Sequence, residues 1–181
     1  DDILFGANKK DLIPRFEKYN PNLTFILYVE SGLNPLFTDW KAQADAGSVD
    51  EEDLYWIIKN HPDWLLKDTE GNFVRSAGAG LTDAQRPYWP DPGNPEVQKY
   101  FIEKITKLIR ETGGEWDAVL LDDFPGSLEG SYDLWLRANR PAKYKTTAEF
   151  QDAQIRFLES LHDALKMPII PNMDGFTITL F

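Results

Sequence analysis

Glu115-Trp-Asp-Ala-Val-Leu-Leu-Asp-Asp-Phe-Pro-Gly126 joins an unbroken apolar run to a pair of acids. Ala118-Val-Leu-Leu121 is short and aliphatic, as a strand buried on both faces of a parallel sheet requires. Asp122 and Asp123 follow directly, and Phe124-Pro-Gly126 ends the element. Acids at the carboxyl end of a buried parallel strand stand where α/β folds, and barrels in particular, place their chemistry. This edge is therefore the expected active site.

Working outward, Asn94-Pro95-Glu96 opens the clearest helix in the chain, with an Asn cap, Pro at the first helical position and an acid in the first turn. Val97, Phe101, Ile105, Leu108 and Ile109 form its apolar stripe, and Gly113-Gly114 ends it. On the other side of the acids a second helix starts at Thr147 and carries Phe150, Phe157, Leu158, Leu161 and Leu165. It leads to a short strand, Pro168-Ile-Ile170, and the turn Pro171-Asn-Met-Asp-Gly175. Nearer the start, Asp2-Ile-Leu-Phe-Gly6 reads as a first strand and Asp11 to Tyr19 as a helix. Leu23-Thr-Phe-Ile-Leu-Tyr-Val29 reads as a second buried strand, ending at Glu30-Ser-Gly32.

The stretch 33–92 breaks this regularity. Prolines and glycines punctuate it, and only Asp50 to Asn60 has a helical pattern. Its aromatics, among them Trp40, Trp56, Trp64 and Trp89, point to an ordered insertion over the carboxyl end of the preceding strand. Within it Asp68-Thr-Glu-Gly71 reads as the turn of a small hairpin joining Trp64-Leu-Leu66 to Phe73-Val74.

The order β-α-β-insertion-α-β-α-β predicts an α/β fold with parallel strands. A complete eightfold (β/α) barrel needs about 250 residues. The expectation is thus one domain, 1–181, TIM-barrel-like and covering roughly the first half of the barrel, with the insertion after strand 2.

Composition narrows the partners. The 181 residues carry a net charge of -11, which repels nucleic acids and anionic membranes over most of the surface. There is no cysteine, so disulfides and thiolate metal sites are excluded. No stretch approaches the ~20 apolar residues of a membrane span. The polar start does not read as a signal peptide, and the missing initiator Met leads to the expectation of a mature, processed or trimmed chain. Eleven Phe, seven Tyr and six Trp supply rings of the kind sugar clefts use for stacking, although for any single ring a core position is the default.

Strand ends gather the candidates: Glu30, then Asp122 and Asp123, then Asn172 and Asp174. On a barrel rim these converge, and a carboxylate pair can supply the general acid and the nucleophile or base of glycoside hydrolysis. Asp122 is the first choice. Because neighbours on a strand point in opposite directions, one of Asp122 and Asp123 is expected to face away from the cleft. Glu30 can instead cap a helix or anchor a loop, and Asp174 can be a turn residue before Gly175. Tyr28, Trp64 and Trp89 are the candidate stacking rings. His61 and His162 lack the setting of a general base, the latter expected mid-helix and solvated. No phosphate loop, nucleophile elbow or zinc spacing is present, so neither cofactor nor metal is expected. Carboxylates at Asp122, Asp123 and Asp174 leave a metal-dependent hydrolase open as another reading.

Three segments in sequence, His61-Pro-Asp-Trp-Leu-Leu-Lys-Asp-Thr-Glu-Gly71, Trp89-Pro-Asp-Pro-Gly-Asn-Pro-Glu-Val97 and Trp116-Asp-Ala-Val-Leu-Leu-Asp-Asp-Phe124, resemble the glycosyl-hydrolase-like TIM barrels. Asn20-Pro-Asn-Leu-Thr-Phe-Ile-Leu-Tyr28 looks like their second strand. The chain resembles hypothetical glycosyl hydrolase family 15, with endo-α-1,4-galactosaminidase-like barrels as neighbours. The resemblance implies a (β/α)8 barrel acting on polysaccharide or oligosaccharide, or descended from one that does; the expected location leans extracellular or secreted. It places the family's strand-end Asp on Asp122 and its fourth-strand Asn on Asn172. Asp123 stands where the family has Asn, and Ala118 where it has Gly. The alternative is a non-catalytic carbohydrate-binding or structural barrel, associated with the remainder of the barrel or a larger assembly.

Overall fold

In a computed structural model, residues 12–33, 54–75, 87–113, 115–128, 140–173 and 176–177 are described. The expected first strand at Asp2–Gly6 lies outside them. The elements run α1 (Leu12–Tyr19), β1 (Ile26–Glu30), α2 (Leu54–Asn60), a 3-10 turn (Pro62–Trp64), α3 (Pro95–Thr112), β2 (Ala118–Phe124), α4 (Thr147–Leu165), β3 (Ile169–Met173) and β4 (Phe176–Thr177).

The sheet has the order β1-β2-β3-β4. β1 pairs parallel with β2, and β2 parallel with β3, so the α/β reading with parallel strands holds. β4 instead folds back antiparallel on β3, pairing Asn172 with Thr177. Both acidic and amide-bearing ends also belong to strands rather than following them: β2 continues through Asp122 and Asp123 to Phe124, and β3 through Asn172 to Met173.

The helix ends follow their sequence signals. Asn94 Oδ1 accepts from Glu96 N at 3.0 Å, Pro95 is the first helical residue, and Gly113 closes α3 with a left-handed φ of 59°. Such an end is what glycine tolerates without a Cβ clash. Thr146 caps α4, its hydroxyl accepting from Glu149 N at 3.2 Å.

Alternation then sorts the strand side chains. Leu27 and Val29 of β1, Val119 and Leu121 of β2 and Ile169 of β3 are buried against Phe101 and Ile105 of α3 and Phe157, Leu158 and Leu161 of α4. Each large apolar side chain withdrawn in this way contributes about 1.5–3 kcal/mol. The insertion joins the same core: Leu54, Ile57, Trp64 and Leu65 are all buried in it.

The predicted hairpin forms. Val74 N donates to Leu66 O at 2.8 Å, and Asp68 Oδ1 accepts from the backbone of Glu70 and Asn72. Gly71 has a φ of 86°, the conformation for which glycine is suited.

A second cluster, Leu66, Val74, Trp89, Leu128 and Phe150, lies under this hairpin. Beside it the buried Asp91 ties the start of α3 to the segment before α4. Its Oδ2 meets Lys143 Nζ at 2.5 Å, and its Oδ1 accepts from Tyr144 Oη at 2.5 Å and from Gly93 N at 3.0 Å. A Cβ on Gly93 would stand 2.6 Å from the Tyr144 hydroxyl, so a larger residue there would force that hydroxyl away from Asp91. Burial above all, and then the bond to Asp91, raise the Tyr144 phenol well above its ordinary 10.0. Among the described residues, no helix is long and apolar enough to cross a membrane.

Candidate active site

The other face of the sheet is built from the alternate residues of the same strands. Ile26 and Tyr28 are each 39% exposed, and Glu30 completes β1 on that side. Register brings Tyr28 beside Leu120, Glu30 beside Asp122, and Leu120 beside Ile170. The face is thus apolar toward the strand starts and polar at the carboxyl ends.

The polar residues are joined there. Asp122 Oδ2 accepts from Tyr28 Oη at 2.6 Å, and Asp122 Oδ1 accepts from Asn172 Nδ2 at 2.6 Å. Tyr28 Oη also lies 3.4 Å from Glu30 Oε1. A phenol has one proton to donate. The shorter contact takes it, leaving Glu30 as the weaker acceptor. Asp122 is therefore gripped from both flanking strands, once on each carboxylate oxygen, and Glu30 shares its Tyr28 neighbour.

A bulge creates the offset at this edge. Between Leu121↔Pro171 and Phe124↔Met173, β2 advances by three residues while β3 advances by two. The extra residue lets Asp122 stay on the open face while Phe124 rejoins the helix side, where its ring stacks on Phe157 at 6.0 Å. Such bulges re-aim side chains beside active sites. The backbone of Asp123 lies in this bulge; its side chain, like all of Asp174, lies outside what is described.

Of the expected site residues, the structure brings together Tyr28, Glu30, Asp122 and Asn172. It does not bring Trp64 and Trp89 to them. Trp64 is 9% exposed, stacked on His61 at 4.1 Å and packed against Tyr100, and Trp89 is 2% exposed in the second cluster. Core packing has claimed both rings, and neither presents a face to a sugar. Tyr28 keeps an exposed ring, and its hydroxyl is bonded to the carboxylate of Asp122. That hydroxyl contact was missed from sequence, although the period-2 spacing of Tyr28 and Glu30 puts both on one face. His162 is in the last turn of α4 rather than mid-helix, with Nδ1 3.1 Å from Met167 O.

An open cleft of about 870 Å³ lies elsewhere, between the 68–75 hairpin and residues 140–145, lined by Asp68, Arg75, Arg140 and Tyr144 among others. None of the four joined residues lines it. The cleft and the hydrogen-bonded cluster are thus separate features of the described residues.

Comparison with known proteins adds the family. No curated protein matches the chain. Solved structures with a similar fold include an uncharacterized protein from Listeria monocytogenes EGD-e, with a TM-score of 0.58 at 14% identity, covering 95% of this chain and 15% of that one. A cycloalternan-degrading enzyme from Trueperella pyogenes gives 0.53 at 14% identity, covering 88% of this chain and 20% of that one. A GH31 family sulfoquinovosidase from E. rectale gives 0.51 at 14% identity, with 91% and 22% covered. At these identities the likeness is one of fold, and the chain spans less than a quarter of the length of each of these proteins. The profile of hypothetical glycosyl hydrolase family 15 matches residues 17–176, nearly the whole chain. The chain belongs to hypothetical glycosyl hydrolase family 15.

Proposed function

We propose that the protein of which this chain is part hydrolyses O-glycosidic bonds in a polysaccharide or oligosaccharide, within a TIM-barrel-like domain, with Asp122 as the attacking carboxylate and Glu30 as its acid/base partner. The observation that carries the reading is the joining of Asp122 to Tyr28, Asn172 and, through Tyr28, Glu30 at the carboxyl edge of parallel strands. Family membership and the fold shared with glycosidases support it.

The two contacts to Tyr28 Oη bound the separation of the carboxylates. Glu30 Oε1 and Asp122 Oδ2 are at most about 6 Å apart, nearer the roughly 5–5.5 Å of retaining pairs than the 6.5–9.5 Å that leaves room for an inverting water. In the retaining sequence an Asp122 oxygen bonds to the anomeric carbon while Glu30 gives its proton to the departing glycosidic oxygen. Water then takes the sugar from Asp122, returning its proton to Glu30 and freeing the Asp122 carboxylate. Ile26, Leu120 and Ile170 form an apolar strip on the same face, toward the strand starts from the acids.

The test is hydrolysis of polysaccharides and aryl glycosides by the full-length protein. Asp122→Asn is expected to lower turnover on the order of a thousandfold with folding intact, and the first product released keeps its anomeric configuration. Wild-type turnover in Asp122→Asn removes the assignment, and an inverted product removes the pairing with Glu30.

A further inference from the structure

Tyr28 is half exposed on the sheet face that would meet substrate, where an aromatic ring would ordinarily be read as a stacking platform. Its hydroxyl argues for something else. It lies 2.6 Å from Asp122 Oδ2 and 3.4 Å from Glu30 Oε1, so one proton stands between two carboxylates on adjacent strands. Asn172 Nδ2, from the strand on the far side, holds the other oxygen of Asp122 at 2.6 Å. Two donors from β1 and β3 thus fix the plane of a carboxylate carried on β2.

We infer that Tyr28 is a positioning residue that orients Asp122 and favours its ionised form, with its hydroxyl coupling the charge states of Asp122 and Glu30. The inference deepens the proposed hydrolase reading and rests on it for its catalytic consequence. A donor to a carboxylate stabilises the ionised form, and loss of the donor moves protonation to higher pH. Among the described residues, Tyr28 and Glu30 on β1 and the neutral Asn172 on β3 face Asp122; α3 and α4 pack on the opposite side of the sheet. With two carboxylates sharing one phenol, their titrations belong to the pair rather than to either alone.

The experiment uses the full-length protein with carbon-13-labelled carboxylates, following Asp122 through a pH titration by NMR in the wild type and in Tyr28→Phe. The midpoint is expected to move to higher pH in the variant. A Tyr28→3-fluorotyrosine protein, which keeps ring and hydroxyl but has a stronger donor, is expected to move it the opposite way. On a glycoside substrate, Tyr28→Phe is expected to lower kcat about tenfold to a hundredfold with KM unchanged, and to shift the acid limb of kcat/KM to higher pH. An unmoved midpoint in both variants overturns the inference, as does a raised KM with kcat and pH profile intact, which is the signature of a stacking ring. A shifted midpoint in a protein that hydrolyses no glycoside sustains the coupling and overturns the hydrolase reading instead.

Discussion

The two faces of the one sheet were built by different forces. Leu121 and Asp122 are neighbours on β2, yet Leu121 is fully buried against the helices while Asp122 opens to the other side, held by Tyr28 and Asn172. The helix face is close-packed and apolar along its length. The open face is apolar at the strand starts and becomes polar only where the strands end. Burial energy explains the first face residue by residue. It gives no reason for a Tyr, two acids and an Asn to meet on the second, and the proposed function rests on that convergence.

Substitutions can break this contrast or sharpen it. The largest effect on stability is expected on the helix face: Leu121→Ala leaves a cavity among Phe101, Phe157 and Ile169 and costs about 2–5 kcal/mol, measured by denaturant unfolding. A smaller effect belongs to the polar tie at Asp91, which lies on neither face. Asp91→Asn removes the charge that Lys143 meets and weakens the acceptor for Tyr144, and is expected to lower stability by about 1–3 kcal/mol.

The same tie sets an alkaline limit. The folded chain keeps the Tyr144 proton while the unfolded chain loses it above 10.0, so this contribution is fully present below that pH. It is lost as pH rises toward the folded value. Unfolding followed from pH 9 to 11 is thus expected to show a decline that Tyr144→Phe flattens. The smallest effect is local: Asn94→Ala, which leaves Glu96 N without its cap, costs about 1 kcal/mol and leaves both faces as they are.

What the sequence made legible divides along the same line. Apolar runs and helix caps predicted β1, α3, β2, α4 and β3, because burial and capping are local demands written in residue type. Asp68 to Gly71 predicted its turn for the same reason. The antiparallel return of β4 onto β3 escaped, since nothing in Phe176-Thr177 declares its direction. The bulge at Asp122 to Phe124 escaped too, because it depends on register with β3.

At the site, Asp122, Glu30 and Asn172 could be named from strand ends, but their bonding could not. That depends on which strands lie side by side. Trp64 and Trp89 show the converse: their residue type suited a sugar, while tertiary packing used them as core. The role expected for Asp123 rested on strict alternation, which the bulge interrupts.

The central claim, that chemistry sits on the open face and stability on the other, is tested most directly by adjacent residues. Turnover per folded molecule and unfolding free energy would be measured side by side for Leu121→Ala and Asp122→Asn in the full-length protein. The expected result is a double separation: Leu121→Ala loses about 2–5 kcal/mol of stability but keeps turnover per folded molecule, while Asp122→Asn keeps its stability within about 1 kcal/mol and loses turnover on the order of a thousandfold. An Asp122→Asn protein that turns over substrate like the wild type would contradict it.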